Sequence, residues 1–305
     1  MADEGPRTEP AEPSIGAAAD RLAPEDAFAL LGNELRIAVL HALKRADGPL
    51  RFAELRERVG VRDSGQFNYH LGKLTGHFVR KVEAADGGAG YELTLAGEQV
   101  VGAILAGTYT ASPAIEPIVL DEPCPRCGGD IVAEYADELV HMACSACDDW
   151  HNEFPFPPSM VDALDREALP LAFDRWIRTT LARVVDGFCP TCTGRLAGGL
   201  VARPDHPYGV AAVYRCPQCG DEHRIGVVGP LLFHPAFVAF TYAHGLDVRA
   251  HPTWRLPGLI DQRVTVLDRD PLSVEVVSEL DGDRLVVQVD EDLAVEVVEG
   301  DAVDG

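Results

Sequence analysis

The sequence predicts an α+β chain of several domains on three observations. Helical and strand periodicities occupy different segments, all eight cysteines fall into C-x-x-C pairs, and one basic island interrupts an acidic chain. The chain has 305 residues, and 49 Asp plus Glu against 26 Lys plus Arg give a formal net charge of −23. With 47% hydrophobic residues it can bury a core, which excludes the disordered and collagen-like classes. Lys44, Lys73 and Lys81 are its only lysines, and the acids are spread along most of its length. That balance resembles halophile proteins, whose surplus carboxylate keeps them soluble in concentrated salt. The total charge therefore reports habitat, and local departures from it report function. The first twenty residues carry acids and prolines where a secretory signal needs a basic start and an apolar run, so a cytoplasmic location is expected. The charge-free runs Val100 to Ile115 and Ile225 to Ala243 are broken by glycines and prolines, so no membrane helix is expected.

Residues 24–110 hold ten basic and eleven acidic residues, against fourteen and thirty-three in 111–305, and within 51–81 the local balance is +4. A basic island in an acidic chain points to a polyanion partner. Asn33 can cap a helix with Leu35, Val39, Leu40 and Leu43 on its apolar face, ending near Asp47-Gly48-Pro49. Phe52, Leu55 and Val59 mark a short second helix closed by Gly60. Asp63, three residues before Gln66, gives a cap and a capping box to a third helix with Phe67, Leu71 and Leu74 on its buried stripe. Phe78, Val79 and Val82 lead through Asp86-Gly87-Gly88-Ala89-Gly90 to Tyr91-Glu92-Leu93, a β-hairpin. Short helix, turn, helix, hairpin is the order of a winged helix-turn-helix.

In that order LLGNELRIAVLHAL, FAELRERVGVRDSGQFNYHLGKL, the hairpin and LTLAGEQVV resemble the ArsR-type winged-helix transcriptional regulators over about 24–110. The resemblance implies a third helix in the major groove of double-stranded DNA, a wing on the backbone or minor groove, and a homodimer through the flanking helices. Onto this chain it carries Ser64, Gln66, Asn68, Tyr69 and Lys73 on the exposed face of the third helix, with Arg80 and Lys81 at the start of the wing. Gln66 and Asn68 suit bidentate reading of adenine, and Ser64, Tyr69 and Lys73 suit phosphates. His70 matches a motif position but is expected to pack. Gly97, Ala103, Ala106 and Gly107 would let a dimer helix approach closely. Metal-sensing members carry cysteines in this region, whereas residues 1–123 here have none, which excludes metalloid sensing by that route.

The cysteine pairs are Cys124/Cys127, Cys144/Cys147, Cys189/Cys192 and Cys216/Cys219. C-x-x-C turns closing in twos give a four-sulfur shell for zinc, so two structural zinc ions are expected, with three pairings of the four turns possible. Four thiolates fill a tetrahedral shell, which leaves His151, His223, Asp149 and Asp221 to supporting roles and leaves no open position for catalysis. The second set repeats the first at an offset of 65 for its leading pair and 72 for its trailing pair, seven extra residues around Arg203-Pro204-Asp205-His206-Pro207.

Leu171, Trp176, Ile177, Leu181 and Val184 recur at helical spacing, and Pro235 to His244 forms a similar element after the second set. VTVL, LSVEVVSEL, RLVVQV and LAVEVV, with Asp281-Gly282-Asp283 as a turn, read as an antiparallel sheet. The expected class is thus α+β: an N-terminal winged helix-turn-helix, two zinc ribbons each followed by a helix, and a small C-terminal antiparallel sheet. Its expected segments are a disordered acidic tail 1–23, the winged helix 24–110, ribbon 1 at 116–158, a linking helix 159–186, ribbon 2 at 187–230, a helix and connector 231–260, β-hairpins 261–300 and a tail 301–305. No nucleophile with a base, no phosphate-binding glycine loop and no carboxylate pair stands out, so no enzyme is expected. The function read is a sequence-specific DNA-binding regulator, with residues 111–305 as a sensing or protein-partner region. Two other readings remain: a zinc-ribbon adaptor that uses the winged helix for protein contacts, and a redox sensor that releases zinc on thiol oxidation.

Overall fold

A computed structural model describes residues 22–84, 87–147, 151–204, 206–256 and 262–300. The expected tails before residue 22 and from 301 onward, and the positions Asp86, Asp149 and Asp205, lie outside them. The described chain divides into two compact units, residues 22–112 with 157–163, and residues 113–156 with 164–300.

The first unit opens with α1 (Pro24–Leu31) and α2 (Glu34–Lys44). Asn33 caps α2 by accepting from the Leu35 and Arg36 N–H groups, as its sequence predicts. A two-residue strand β1 (Leu50–Arg51) runs into α3 (Phe52–Val59). Gly60 ends α3 at φ 77, a conformation glycine adopts without strain. α4 (Ser64–Leu74) follows, then β2 (Val79–Glu83), β3 (Ala89–Leu93), α5 (Leu95–Leu105) and α6 (Pro158–Ala163). The sheet order is β1-β3-β2. Val39, Leu40, Leu55, Phe67, Leu71, Leu74 and Val79 form one core under the helices.

The second unit holds three sheets. The first is β4 (Ile115–Pro123), β5 (Asp130–Ala136), β6 (Leu139–Cys144) and β7 (His151–Pro155), in that order. α7 (Leu169–Val185) follows, and then β8 (Ala197–Ala202), β9 (Val210–Arg215) and β10 (Glu222–Gly226) pair as β10-β9-β8. α8 (Pro235–Ala243) leads to the third sheet, β11 (Arg263–Arg269), β12 (Leu272–Leu280), β13 (Asp283–Val289) and β14 (Val295–Gly300).

The expected fold class is overturned by this arrangement. The described residues build four separate sheets of three or four strands beside eight α-helices, not a winged helix followed by two ribbon-plus-helix repeats and a separate small sheet. The physical reason lies in edges and cores. A two-stranded ribbon leaves both edges bare, so β4 and β7 cover those of β5 and β6. A small sheet also cannot bury enough surface alone. β12 and β13 therefore share one core with α8 and the β8–β9 hairpin, in which Leu200, Val210, Leu231, Phe237, Phe240, Val274, Val276 and Val287 pack together. Tyr135, Phe156 and Phe173 form a separate aromatic cluster, with Phe156 edge-on to Phe173 at 4.8 Å.

A buried ion pair within α7 hydrogen-bonds to the segment before the last sheet. Asp174, 1% exposed, pairs with Arg178 at 3.0 Å and accepts from the Thr253 N–H at 2.9 Å and hydroxyl at 2.6 Å, while Arg178 donates to the Val248 carbonyl. Both Thr253 donors go to Asp174 Oδ1, and the charge on Oδ2 is met by the Arg178 guanidinium as an ion pair and not as a hydrogen bond.

Two small residues proposed for a dimer face are occupied within the first unit. A Cβ at Gly97 would lie 2.2 Å from the Phe78 carbonyl oxygen, and one at Gly107, at φ 76, would meet Ala111 and Pro158. Gly102 on the same helix faces open space. Gly97→Ala is therefore expected to destabilise the first unit by about 2 kcal/mol through overpacking, whereas Gly102→Ala gains about 0.5–1 kcal/mol of helix propensity. Calorimetric melting of the full chain checks this by opposite shifts of the same transition.

Candidate metal centres and nucleic-acid face

Each C-x-x-C turn sits where a strand begins or ends. Cys124 and Cys127 precede β5, Cys144 ends β6 and Cys147 follows it, so the four meet at the open end of that hairpin. Cys189 and Cys192 precede β8, and Cys216 and Cys219 lie between β9 and β10, so the second four meet in the same way. Of the three possible pairings, the structure has each turn joined to its nearest neighbour in sequence. Within each group the sulfurs lie inside 4.8 Å of one another. Cys124–Cys147 is 3.9 Å, Cys127–Cys144 3.4 Å, Cys189–Cys219 3.7 Å and Cys192–Cys216 3.5 Å. Four sulfurs at about 2.3 Å from a tetrahedral cation would be roughly 3.8 Å apart, and these distances bracket that value. The donor set therefore fits a borderline-soft divalent cation.

Backbone N–H groups aim at the sulfurs. Gly129, Ala146 and Gly194 donate to Cys127, Cys144 and Cys192, each at 3.4 Å. The turns require a left-handed residue just after the second cysteine, provided by Gly128 at φ 76 and Gly220 at φ 80, and by Thr193 at φ 58. Hydrogen bonding from the Ala146 N–H lowers the Cys144 thiol to about 7. At Cys216 burial opposes ionisation, but the Cys219 and Gln218 N–H groups outweigh it and bring the thiol to about 7. Cys219 goes the other way: the Asp221 N–H favours its thiolate, yet the crowding thiols of Cys192, Cys216 and Cys189 push it up to about 12. Sulfurs this close cannot all ionise side by side unless a cation neutralises them.

His223 lies 3.4 Å from Asp221, which accepts from Thr191 at 2.6 Å, and both residues stand beside Cys189. His151 is on β7 and joins no ligand group among the described residues.

In the first unit, Asp63 caps α4 by accepting from Gly65 at 2.7 Å and Gln66 at 3.0 Å, and the Gln66 and Gly65 N–H groups hold its carboxyl below the usual range. One helix earlier, Glu54 accepts from the Arg51 N–H at the start of α3. Ser64, Gln66, Asn68, Tyr69 and Lys73 are all exposed along α4, and the Lys73 ammonium lies over the Tyr69 ring at 5.7 Å. At 3.6 residues per turn Tyr69 is near the centre of that face, with Gln66 and Asn68 on opposite edges about 160° apart. Arg80 and Lys81 are exposed on β2, but Arg80 pairs across the hairpin with Glu92 at 2.7 Å. His70 is half-buried with Tyr69 edge-on at 5.2 Å, in a packing position. Exposed Arg62, next to the cap, adds a cation that periodicity alone did not single out.

The comparisons with known proteins agree with the division into two units. The family model described as Domain of unknown function (DUF7351) matches residues 121–295, more than half of the chain, and the chain belongs to that family. The model described as Domain of unknown function (DUF7347) matches residues 24–104. Among curated proteins none matches the chain. No helix among the described residues is long and apolar enough to cross a membrane.

Because the two cysteine groups share no residue, they should load independently. Cys144→Ser is expected to lower the metal content from two equivalents per chain to one, measured by elemental analysis of purified protein. Loss of both equivalents, or of neither, would contradict two separate centres.

Proposed function

We propose that the protein is a sequence-specific DNA-binding transcriptional regulator of the ArsR type, in which two zinc ions close the cysteine groups of the second unit. The observation that carries the reading is α4: a capped helix in the basic stretch 51–81, exposing Ser64, Gln66, Asn68, Tyr69 and Lys73 together. On this reading α4 enters the major groove of double-stranded DNA. Gln66 and Asn68, on opposite edges of the face, would meet base edges on either side of the helix axis, and Lys73 and Ser64 would hold phosphates. Lys81 and Arg80 would approach the backbone from the hairpin. A homodimer would bind two half-sites, as regulators of this class do.

Zinc is favoured because four thiolates in tetrahedral proportion leave no position for water, the mark of a structural rather than a catalytic site. The carboxylates of residues 111–305 oppose a nucleic-acid contact there, which leaves that region for other partners. In concentrated salt counterion release contributes little, so base contacts carry an unusual share of affinity.

Selection of fragments from sheared genomic DNA by the zinc-loaded chain in concentrated potassium salt tests this. A short palindromic site should be enriched, and the Gln66→Ala, Asn68→Ala double variant should lose that preference while keeping its metal. Unchanged preference in the variant would remove α4 from the groove, and no enrichment by the parent chain would favour an adaptor that contacts protein.

A further inference from the structure

The second unit contains a cleft of about 590 Å³, walled by β7, by Ile177 and Leu181 of α7, by the loop between β8 and β9, and by the run from β10 to Leu232. That volume falls within the usual range for small-molecule sites. Its charge is the reverse of its surroundings. Residues 111–305 hold thirty-three acids and fourteen basic residues, yet Arg126, Arg178, Arg203 and Arg224 all line this cleft. Among its described lining residues the one acid is Glu153, which is 3.1 Å from His141.

The four guanidinium groups are not equivalent. Arg178 is neutralised by Asp174, and Arg224 shares Glu222 with Arg215, at 2.5 and 2.6 Å. Arg126 is fixed by the Tyr208 hydroxyl at 2.5 Å, a neutral partner that leaves its charge uncompensated, and lies 5.7 Å over the Tyr208 ring. Arg203 stands on the same loop as Tyr208. A guanidinium held against an aromatic ring is preorganised for a planar oxyanion. The lining also includes the apolar side chains of Ile177, Leu181, Val228 and Leu232.

The loop accounts for five of the seven extra residues in the second cysteine hairpin. The first turns in two residues, Asp137 and Glu138, at φ 52 and φ 66. The second uses residues 203–209, held by Arg203 N–H to the Gly209 carbonyl at 2.8 Å and His206 N–H to the Arg203 carbonyl at 2.9 Å. The extra length in the second repeat builds the polar wall of the cleft.

We infer that this cleft binds a small organic anion: a carboxylate or phosphate head held by Arg126, with an apolar body against Ile177 and Leu181 of α7. The inference does not depend on the DNA reading, since binding is measured directly. Isothermal titration of the intact, metal-loaded chain with decanoate and with decyl phosphate tests it, with inorganic phosphate and decanol as controls. At least one of the two amphiphiles should saturate at one per chain, and neither control should bind comparably. Arg126→Ser and Ile177→Asp should each weaken that binding at least tenfold while retaining two metal equivalents and the parent melting temperature. Should Ile177→Asp unfold the chain, Arg126→Ser alone decides by the same tenfold criterion. No saturable binding, equal binding by inorganic phosphate, undiminished binding in the folded variants, or preference for single-stranded DNA over both amphiphiles would overturn the inference.

Discussion

Four cysteine sulfurs within 4.8 Å of one another, twice over, is the constraint on which the second unit depends. Sulfurs at that distance must either stay protonated or be neutralised together, and the opposite shifts of Cys216 and Cys219 show the conflict within one group. A cation held by the four sulfurs would resolve it. Binding to four thiolates is worth on the order of 10–16 kcal/mol, comparable to the whole stability of an ordinary domain. Cys189 and Cys216 pack with Val184, Leu196, Ala212 and Tyr214, so the second group is also part of a small core.

Clamping the open end of each hairpin leaves its far end free to vary. At that end β5–β6 closes in a two-residue turn, and β8–β9 carries the longer loop that faces α7. One structural device repeated within a chain thus supports two outcomes: a sheet completed by β4 and β7, and a sheet whose loop shapes a cleft. The remainder of the unit rests on apolar burial, with β12 and β13 presenting consecutive buried residues where they meet α8.

Local signals were legible in the sequence. Asn33 and Asp63 cap the helices that their positions predict, Gly60 ends α3, and Asp281-Gly282 turns β12 into β13 at φ 53 and φ 96. The four turns that gather the sulfurs were legible too, because C-x-x-C spacing is a local geometry. What the sequence did not disclose is set by long-range pairing. β1 is two residues long and has no periodicity of its own. β4 and β7 are recognisable only as edges that β5 and β6 need covered. The C-terminal sheet reads as separate until its apolar face meets α8, and Gly97 reads as a dimer-face residue until the Phe78 carbonyl is placed against it. The arginines of the cleft are spread over residues 126 to 224 and come together only in three dimensions.

The central claim is that the cysteine groups, and not apolar burial alone, hold the second unit together. Hydrogen exchange of the full chain before and after removal of metal by a strong chelator, under reducing conditions, tests it most directly. The account predicts that amides of β5, β6, β8 and β9 lose protection on stripping, while those of α2, α3 and α4, around Leu40, Leu55, Phe67 and Leu71, keep theirs. Full protection of the four strands in metal-free, reduced protein would contradict it.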